Sequence, residues 1–289
     1  MNNKLKEEIN QLIIKYNITQ PELYTEYSNK RPLIIHCCHH KTGTVVIEKI
    51  LRAVCNKFGI KYQYCSQDKL EETTDVWVEH HSKIDFSKIN RPIIGTHMIR
   101  NPCAIIISAF EYHKKTMEPW ANKKIPSYEN KSYRSILNSL SNENGIIFEM
   151  KNKLYVESSR NTIMDIYYWD YFMPNFLELK YEDLMIDFNG VLKNMFKHYG
   201  FTREMIVIAL EIAKPHNLRN KTENDLKKNG HITNKDIDLY KWKEYFLSDV
   251  IISKFLKTYP DNLFDKIGYS LDKITSKQPI LNDSTILAE

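Results

Sequence analysis

Apolar residues fall along this chain in two rhythms. Short, nearly unbroken apolar runs occur at residues 31–37 ("RPLIIHC"), 60–65 ("IKYQYC"), 74–80 ("TDVWVEH"), 91–99 ("RPIIGTHMI") and 175–181 ("NFLELKY"). Runs of this length, rich in Ile, Val and aromatics, predict buried strands. Between them lie longer stretches whose apolar residues recur three and four apart. Residues 44–58 carry Val45, Ile47, Ile50, Leu51 and Val54 on one stripe and stop before Gly59, which predicts a helix. Residues 102–115 open on Pro102, a residue suited to a first helical turn. The same periodicity predicts helices over 4–16, 132–152, 159–173, 187–199, 203–213 and 236–257.

Strands alternating with helices predict an α/β fold, a parallel β-sheet flanked by helices in three layers. The expected organisation is one domain over 31–273, preceded by an N-terminal helical segment (1–30) and followed by a polar tail (274–289). Residues 114–131 hold two prolines and no period; they predict a long surface loop, a candidate lid or acceptor-binding element.

Composition narrows the class. The 289 residues include 41 bases and 36 acids, for a net charge of +5, but the signs are interleaved. That pattern argues against a nucleic-acid surface and allows a local cationic pocket for a small anion. No apolar run approaches the roughly 20 residues of a membrane span. The five cysteines are an odd number and the N-terminus is charged, so the expected setting is the reducing cytoplasm, with free thiols, no membrane and a monomer or homodimer.

The chemistry gathers where the first strand meets the first helix, in "HCCHHKTGT" (36–44). A strand, a short loop and a helix place successive N–H groups and the positive end of the helix dipole on one point, which suits an anion. Gly43 allows a tight turn, Lys41 supplies a charge, and Thr42 and Thr44 supply hydroxyls. The order differs from the P-loop signature of ATPases and GTPases, because the lysine precedes the glycine. His36, Cys37, Cys38, His39 and His40 also raise the question of zinc. Adjacent strand residues point to opposite faces and do not converge on one ion, so no metal site is expected.

A second element points the same way. In "PIIGTHMIRNPCAIIISAFEYH" (92–113), Arg100 ends a strand, Asn101-Pro102 turns the chain, and Ser108 lies in the following helix. The pair of elements resembles the sulfotransferase family, whose P-loop-containing fold binds 3′-phosphoadenosine 5′-phosphosulfate. "FLELKYEDLMIDFNGVLKNMFKHYGF" (176–201) and "DNLFDKIGYSL" (261–271) are similar to later family segments, so the resemblance spans about 31–271. It implies that Lys41, Thr42, Gly43, Thr44 and Val45 hold the 5′-phosphosulfate and that Arg100 and Ser108 hold the 3′-phosphate. It places Lys228, in a stretched counterpart of the family's C-terminal motif, among the donor contacts, with Trp242-Lys243 as a further counterpart. The implied product is adenosine 3′,5′-bisphosphate, and the scheme requires no metal.

The acceptor, a small-molecule hydroxyl or amine, must lose a proton, and a His or Glu commonly takes it. Family spacing selects His80 and His81, which lie 20 and 19 residues before Arg100. Alternation along a strand would turn only one of them to the cleft. His97, on the strand leading to Arg100, is a rival base; Glu79 and Glu149 are carboxylate alternatives. His40 and Trp120 are expected to line the acceptor side with Glu149. Trp169 and its neighbouring aromatics are expected in the core. The closing segment resembles bacterial members, consistent with a natural-product acceptor. The competing classes are a nucleotide kinase or NTPase and a non-catalytic nucleotide-binding protein of the same fold.

Overall fold

The computed structural model describes residues 32–151, 162–222, 224–225 and 239–270, together with positions 7, 11 and 14. The expected helix at 4–16 lies, apart from those three positions, outside the described residues; so do Lys228 and the tail after 270.

Five strands form one sheet. They are β1 (Leu33–Cys38), β2 (Tyr62–Tyr64), β3 (Val76–Glu79), β4 (Ile93–Ile99) and, later in the chain, β7 (Phe176–Lys180). Their order is β2-β3-β1-β4-β7 and every pairing is parallel. β1 is the middle strand and all six of its residues are buried, which is why it reads as an unbroken apolar run. Successive side chains part to opposite faces. Ile34 and Cys38 join a core with helices α1 (Thr44–Phe58), α8 (Phe188–His198) and α9 (Arg203–Ala213). Leu33, Ile35 and Cys37 join Trp77 and Trp169 on the other face.

The intervening elements are α2 (Pro102–His113), α3 (Pro119–Asn122), a hairpin β5 (Lys124–Ile125) and β6 (Lys131–Ser132), α4 (Tyr133–Ser139), α5 (Asn142–Lys151), α6 (Thr162–Tyr168) and α7 (Tyr181–Ile186). The chain continues to α10 (Trp242–Tyr245), α11 (Asp249–Thr258) and α12 (Leu263–Lys266). Pro102 and the Asn101 side chain start α2; Asn101 Oδ1 accepts from the amides of Cys103 (2.9 Å) and Ala104 (3.4 Å). Every residue of α2 except Glu111 is buried, and the helix anchors a second core with α4, α5, α6, α11 and α12.

Three expectations change. Residues 114–131 are not structureless: α3 and the small hairpin fold there, with left-handed Glu129 and Asn130 (φ 54° and 57°) at the turn. The helix expected over 132–152 is two, because Ser141 starts a new one by accepting from the Asn144 amide at 3.2 Å. The helix expected over 236–257 is likewise divided, with Ser248 capping α11. Serine competes with the backbone ladder for amides, so it resets helices that apolar periodicity alone would join.

The topology locates a site. Connections leave β1 toward one side of the sheet and leave β4 toward the other, so the order reverses between these neighbours. Ligands of parallel α/β sheets bind in the crevice beyond the strand ends at such a switch point. The two loops that border it are 39–43 and 100–101.

Candidate active site

The loop after β1 leads directly into the start of α1. Gly43 is the N-cap of α1 at φ 101° and provides no side-chain cap. The first amides of a helix have no carbonyl within it, and this helix starts from the loop that borders the crevice. The hydroxyls of Thr42 and Thr44 are engaged by the turn itself. Thr42 is fully buried, its Oγ1 accepts from the His39 amide (2.9 Å) and donates to the His39 carbonyl (2.8 Å), and Thr44 Oγ1 donates to that carbonyl at 3.1 Å. The two threonines brace the turn and hold Lys41 in a left-handed conformation, φ 66°.

Lys41 is half-buried, with Nζ 4.2 Å from the centre of the Tyr112 ring. Burial, then the Arg100 charge, lowers its pKa from 10.5 to about 7; Glu118 and Glu111 pull the other way. A bound anion restores the charge.

Arg100 reaches across the switch point. Its Nη1 donates to the Lys41 carbonyl at 3.0 Å, and its guanidinium lies 4.5 Å from the centre of the Tyr181 ring. Its Nε is buried and has no hydrogen-bond acceptor among the described residues. An orphaned charged donor in such a place is costly unless a ligand satisfies it. Tyr181 also fills the space over Gly43, where an added Cβ would come within 2.8 Å of Tyr181 Cδ2. The next residue, Glu182, accepts from the Asn101 amide (3.1 Å) and the Tyr269 hydroxyl (2.6 Å), tying the loop after β4 to the start of α7. The importance of Tyr181 and Glu182 was visible in sequence only as the "YEDL" segment.

Ser108 sits six residues beyond Pro102 in α2 and is 7% exposed. Trp242 is buried beside Phe246, and Lys243 lies over Tyr240 at 5.1 Å.

The histidines form two chains. In the first, His39 Nε2 lies 2.7 Å from His97 Nε2, His97 Nδ1 lies 2.7 Å from Glu178 Oε2, and Trp169 Nε1 donates to Glu178 Oε1 at 3.0 Å. Trp169 also stacks on His97 with centroids 4.1 Å apart. Trp169 is therefore a partner of the histidine chain as well as a core residue. Burial lowers His97 to about 3 and raises Glu178 to about 8. Both rings are thus neutral near neutrality, and the protonation of Glu178 selects their tautomers. His97 is fully buried, with its Nε2 on His39.

In the second chain His40 Nε2 lies 3.1 Å from His113 Nε2, and His113 Nδ1 lies 3.0 Å from Glu149 Oε2, which also accepts from the Tyr133 hydroxyl at 2.6 Å. Trp120 sets its edge against His113, with centroids 5.0 Å apart, and donates to Glu118. The structure thus joins His40, Trp120 and Glu149 in one cluster. His113, which completes it, was not singled out in the sequence; its only signal was a histidine at the end of an otherwise apolar helix.

His80 and His81 do not part to opposite faces, because β3 ends at Glu79. The Glu79 carboxylate accepts the amides of His81 (2.9 Å) and Lys83 (3.0 Å), the chain turns, and the two rings lie 4.1 Å apart. Both are half-buried, and burial lowers His81 to about 4. Glu79 is engaged as a turn brace. Cys37 and Cys38 are fully buried free thiols, with burial raising Cys38 to about 12. Among the described residues no group of three or more His, Cys, Asp or Glu is arranged to hold a metal.

No family model matches this sequence, and no curated protein matches it. Among solved structures the chain is similar to mouse sulfotransferase SULT7A1 complexed with PAP, at 13% identity and a TM-score of 0.50, over 86% of this chain and 88% of that one. That likeness establishes the fold.

Proposed function

We propose that this chain is a sulfotransferase. It moves a sulfuryl group from 3′-phosphoadenosine 5′-phosphosulfate to a hydroxyl or amine of a small acceptor and releases adenosine 3′,5′-bisphosphate. The observation that carries the reading is the pairing of Lys41 and Arg100 across the β1–β4 switch point. There the Arg100 Nε is buried without an acceptor among the described residues, beside a helix N-terminus capped by Gly43. Fixed cations beside a helix N-terminus suit a donor bearing several phosphate-type charges. The fold likeness to a protein complexed with PAP supports the same assignment.

In the proposed reaction the acceptor oxygen or nitrogen attacks sulfur in line with the bridging oxygen of the donor. Lys41 neutralises charge as it develops on that leaving oxygen, and the loop amides hold the phosphate still. Such transfers depend on positioning and charge stabilisation more than on covalent catalysis. Arg100 grips a terminal phosphate, with Tyr181 as its platform. The α3–hairpin segment, which brings Trp120 and Glu118 toward Lys41, is the acceptor-side wall. The acceptor belongs to the class of small polar natural products.

Calorimetric titration tests the reading. Adenosine 3′,5′-bisphosphate should bind without Mg²⁺ and more tightly than ATP, and Arg100→Ala should weaken it by about 10- to 100-fold. Tighter, Mg²⁺-dependent ATP binding would instead identify a nucleotide kinase or NTPase. Tight bisphosphate binding with no transfer to any alcohol, phenol or amine would identify a binding protein.

A further inference from the structure

The two histidine chains differ in one respect that bears on which group removes the acceptor's proton. His39, which heads the first, is 1% exposed and its backbone is fixed by Thr42. His40, which heads the second, is half-buried and immediately precedes Lys41. Resting on the sulfuryl-transfer reading, we infer that His40 is the general base, with His113 and Glu149 as the positioning residues that fix its tautomer and receive its proton.

Donor and acceptor logic sets the direction of the chain. A Glu149 carboxylate can only accept. It takes the Tyr133 hydroxyl and the Nδ1–H of His113. His113 then presents a lone pair at Nε2, so the 3.1 Å contact must be a donation from the Nε2–H of His40. His40 is thereby left with its lone pair on Nδ1, the basic nitrogen. Each tautomer follows from the one behind it. The rings of His40 and His113 are nearly parallel, 21° apart with centroids at 5.1 Å, and Trp120 and Tyr133 flank His113. Packing therefore holds the relay in register.

The step balances. A bond forms between the acceptor oxygen and sulfur. The bond from sulfur to the bridging oxygen breaks, with its electron pair going to the phosphate of the departing bisphosphate. The acceptor proton goes to His40 Nδ1, and the His40 Nε2 proton passes to His113 Nε2. Positive charge then rests on His113, the imidazole beside Glu149.

Ring-nitrogen NMR of the full chain, saturated with adenosine 3′,5′-bisphosphate, tests the tautomers directly. His40 should carry its proton on Nε2 and His113 on Nδ1. Glu149→Gln should shift both rings and leave His39 and His97 unmoved. In labelled-donor assays His40→Gln should slow transfer to phenol about a hundredfold or more, the scale of a lost general base. It should slow transfer to 4-nitrophenol, which ionises without help, far less, and bisphosphate affinity should stay as in the wild type. Equal loss with both phenols, or a His40 proton on Nδ1, would overturn the inference while leaving the sulfuryl-transfer reading intact. Failure of the wild-type protein to bind the bisphosphate would sink both.

Discussion

At the scale of single residues, Lys41 sets the behaviour of the site. Its pKa is lowered to about 7 by burial and by Arg100, while the unfolded chain keeps the proton up to about 10.5. Between those values the native state binds fewer protons, so stability rises with pH across the window, and the cost of the buried charge is fully present below 7. Lys41→Met should therefore raise the melting temperature, by on the order of 2 °C and most clearly below pH 7, while lowering transfer by roughly a thousandfold. Thermal scans at several pH values, set beside turnover, check both halves. Ligand binding reverses the shift, so above pH 7 the bisphosphate should bind with uptake of a proton, read from calorimetry in buffers of different ionisation enthalpy. Lys41 and Arg100 were legible in the sequence because each sits in a contiguous motif at the end of an apolar run. The partners of the histidines were not. His97 and Glu178 are 81 residues apart and meet only because β4 and β7 are neighbours in register. The alternation argument failed for His80 and His81 because the Glu79 side chain ends the strand just before them.

At the scale of elements, the site depends on how closely α1 approaches α7. Gly43 combines a φ of 101° with a Tyr181 ring carbon 2.8 Å from where a Cβ would stand. Gly43→Ala should cost about 1–3 kcal/mol of stability and weaken bisphosphate binding at least tenfold. Adding Tyr181→Ala removes the clash but not the backbone strain, so the double variant should regain only part of the stability in denaturant titrations. A second close approach, with the Phe176 ring where a Cβ on Gly95 would stand, fixes β4 against β7. Gly95→Ala should cost about 1–3 kcal/mol by overpacking. Periodicity located the sheet strands and the long helices well, since amphipathic faces are written locally. It joined helices that Ser141 and Ser248 separate, because a hydroxyl competing for an amide leaves no trace in an apolar pattern.

At the scale of the whole molecule, the parallel sheet flanked by helices was legible, and the strand order was not. Nothing in an apolar run says which neighbour it will choose. The order places the two cationic loops on either side of one crevice, and from that follows a whole-molecule readout. Bisphosphate at a hundred times its dissociation constant should stabilise the fold by about 2.7 kcal/mol, a rise in melting temperature of roughly 5–10 °C in thermal scans. Arg100→Ala should reduce that rise at the same ligand concentration, and adenosine without phosphates should give none.

The central position of β1 also bears on how the protein is made. Synthesis delivers Leu33–Cys38 before the other described strands of the sheet, and both of its neighbours, β3 and β4, come later. Until Val76 and then Ile93 have left the ribosome, the most deeply buried strand has no edge to pair with and its two thiols stand open. Non-local parallel pairing is slow, and exposed apolar strands invite association with other chains. The segment that becomes the best-protected part of the finished protein is thus its most vulnerable part in the nascent chain. Chaperone occupancy and thiol labelling of stalled nascent chains should both fall once β4 has emerged.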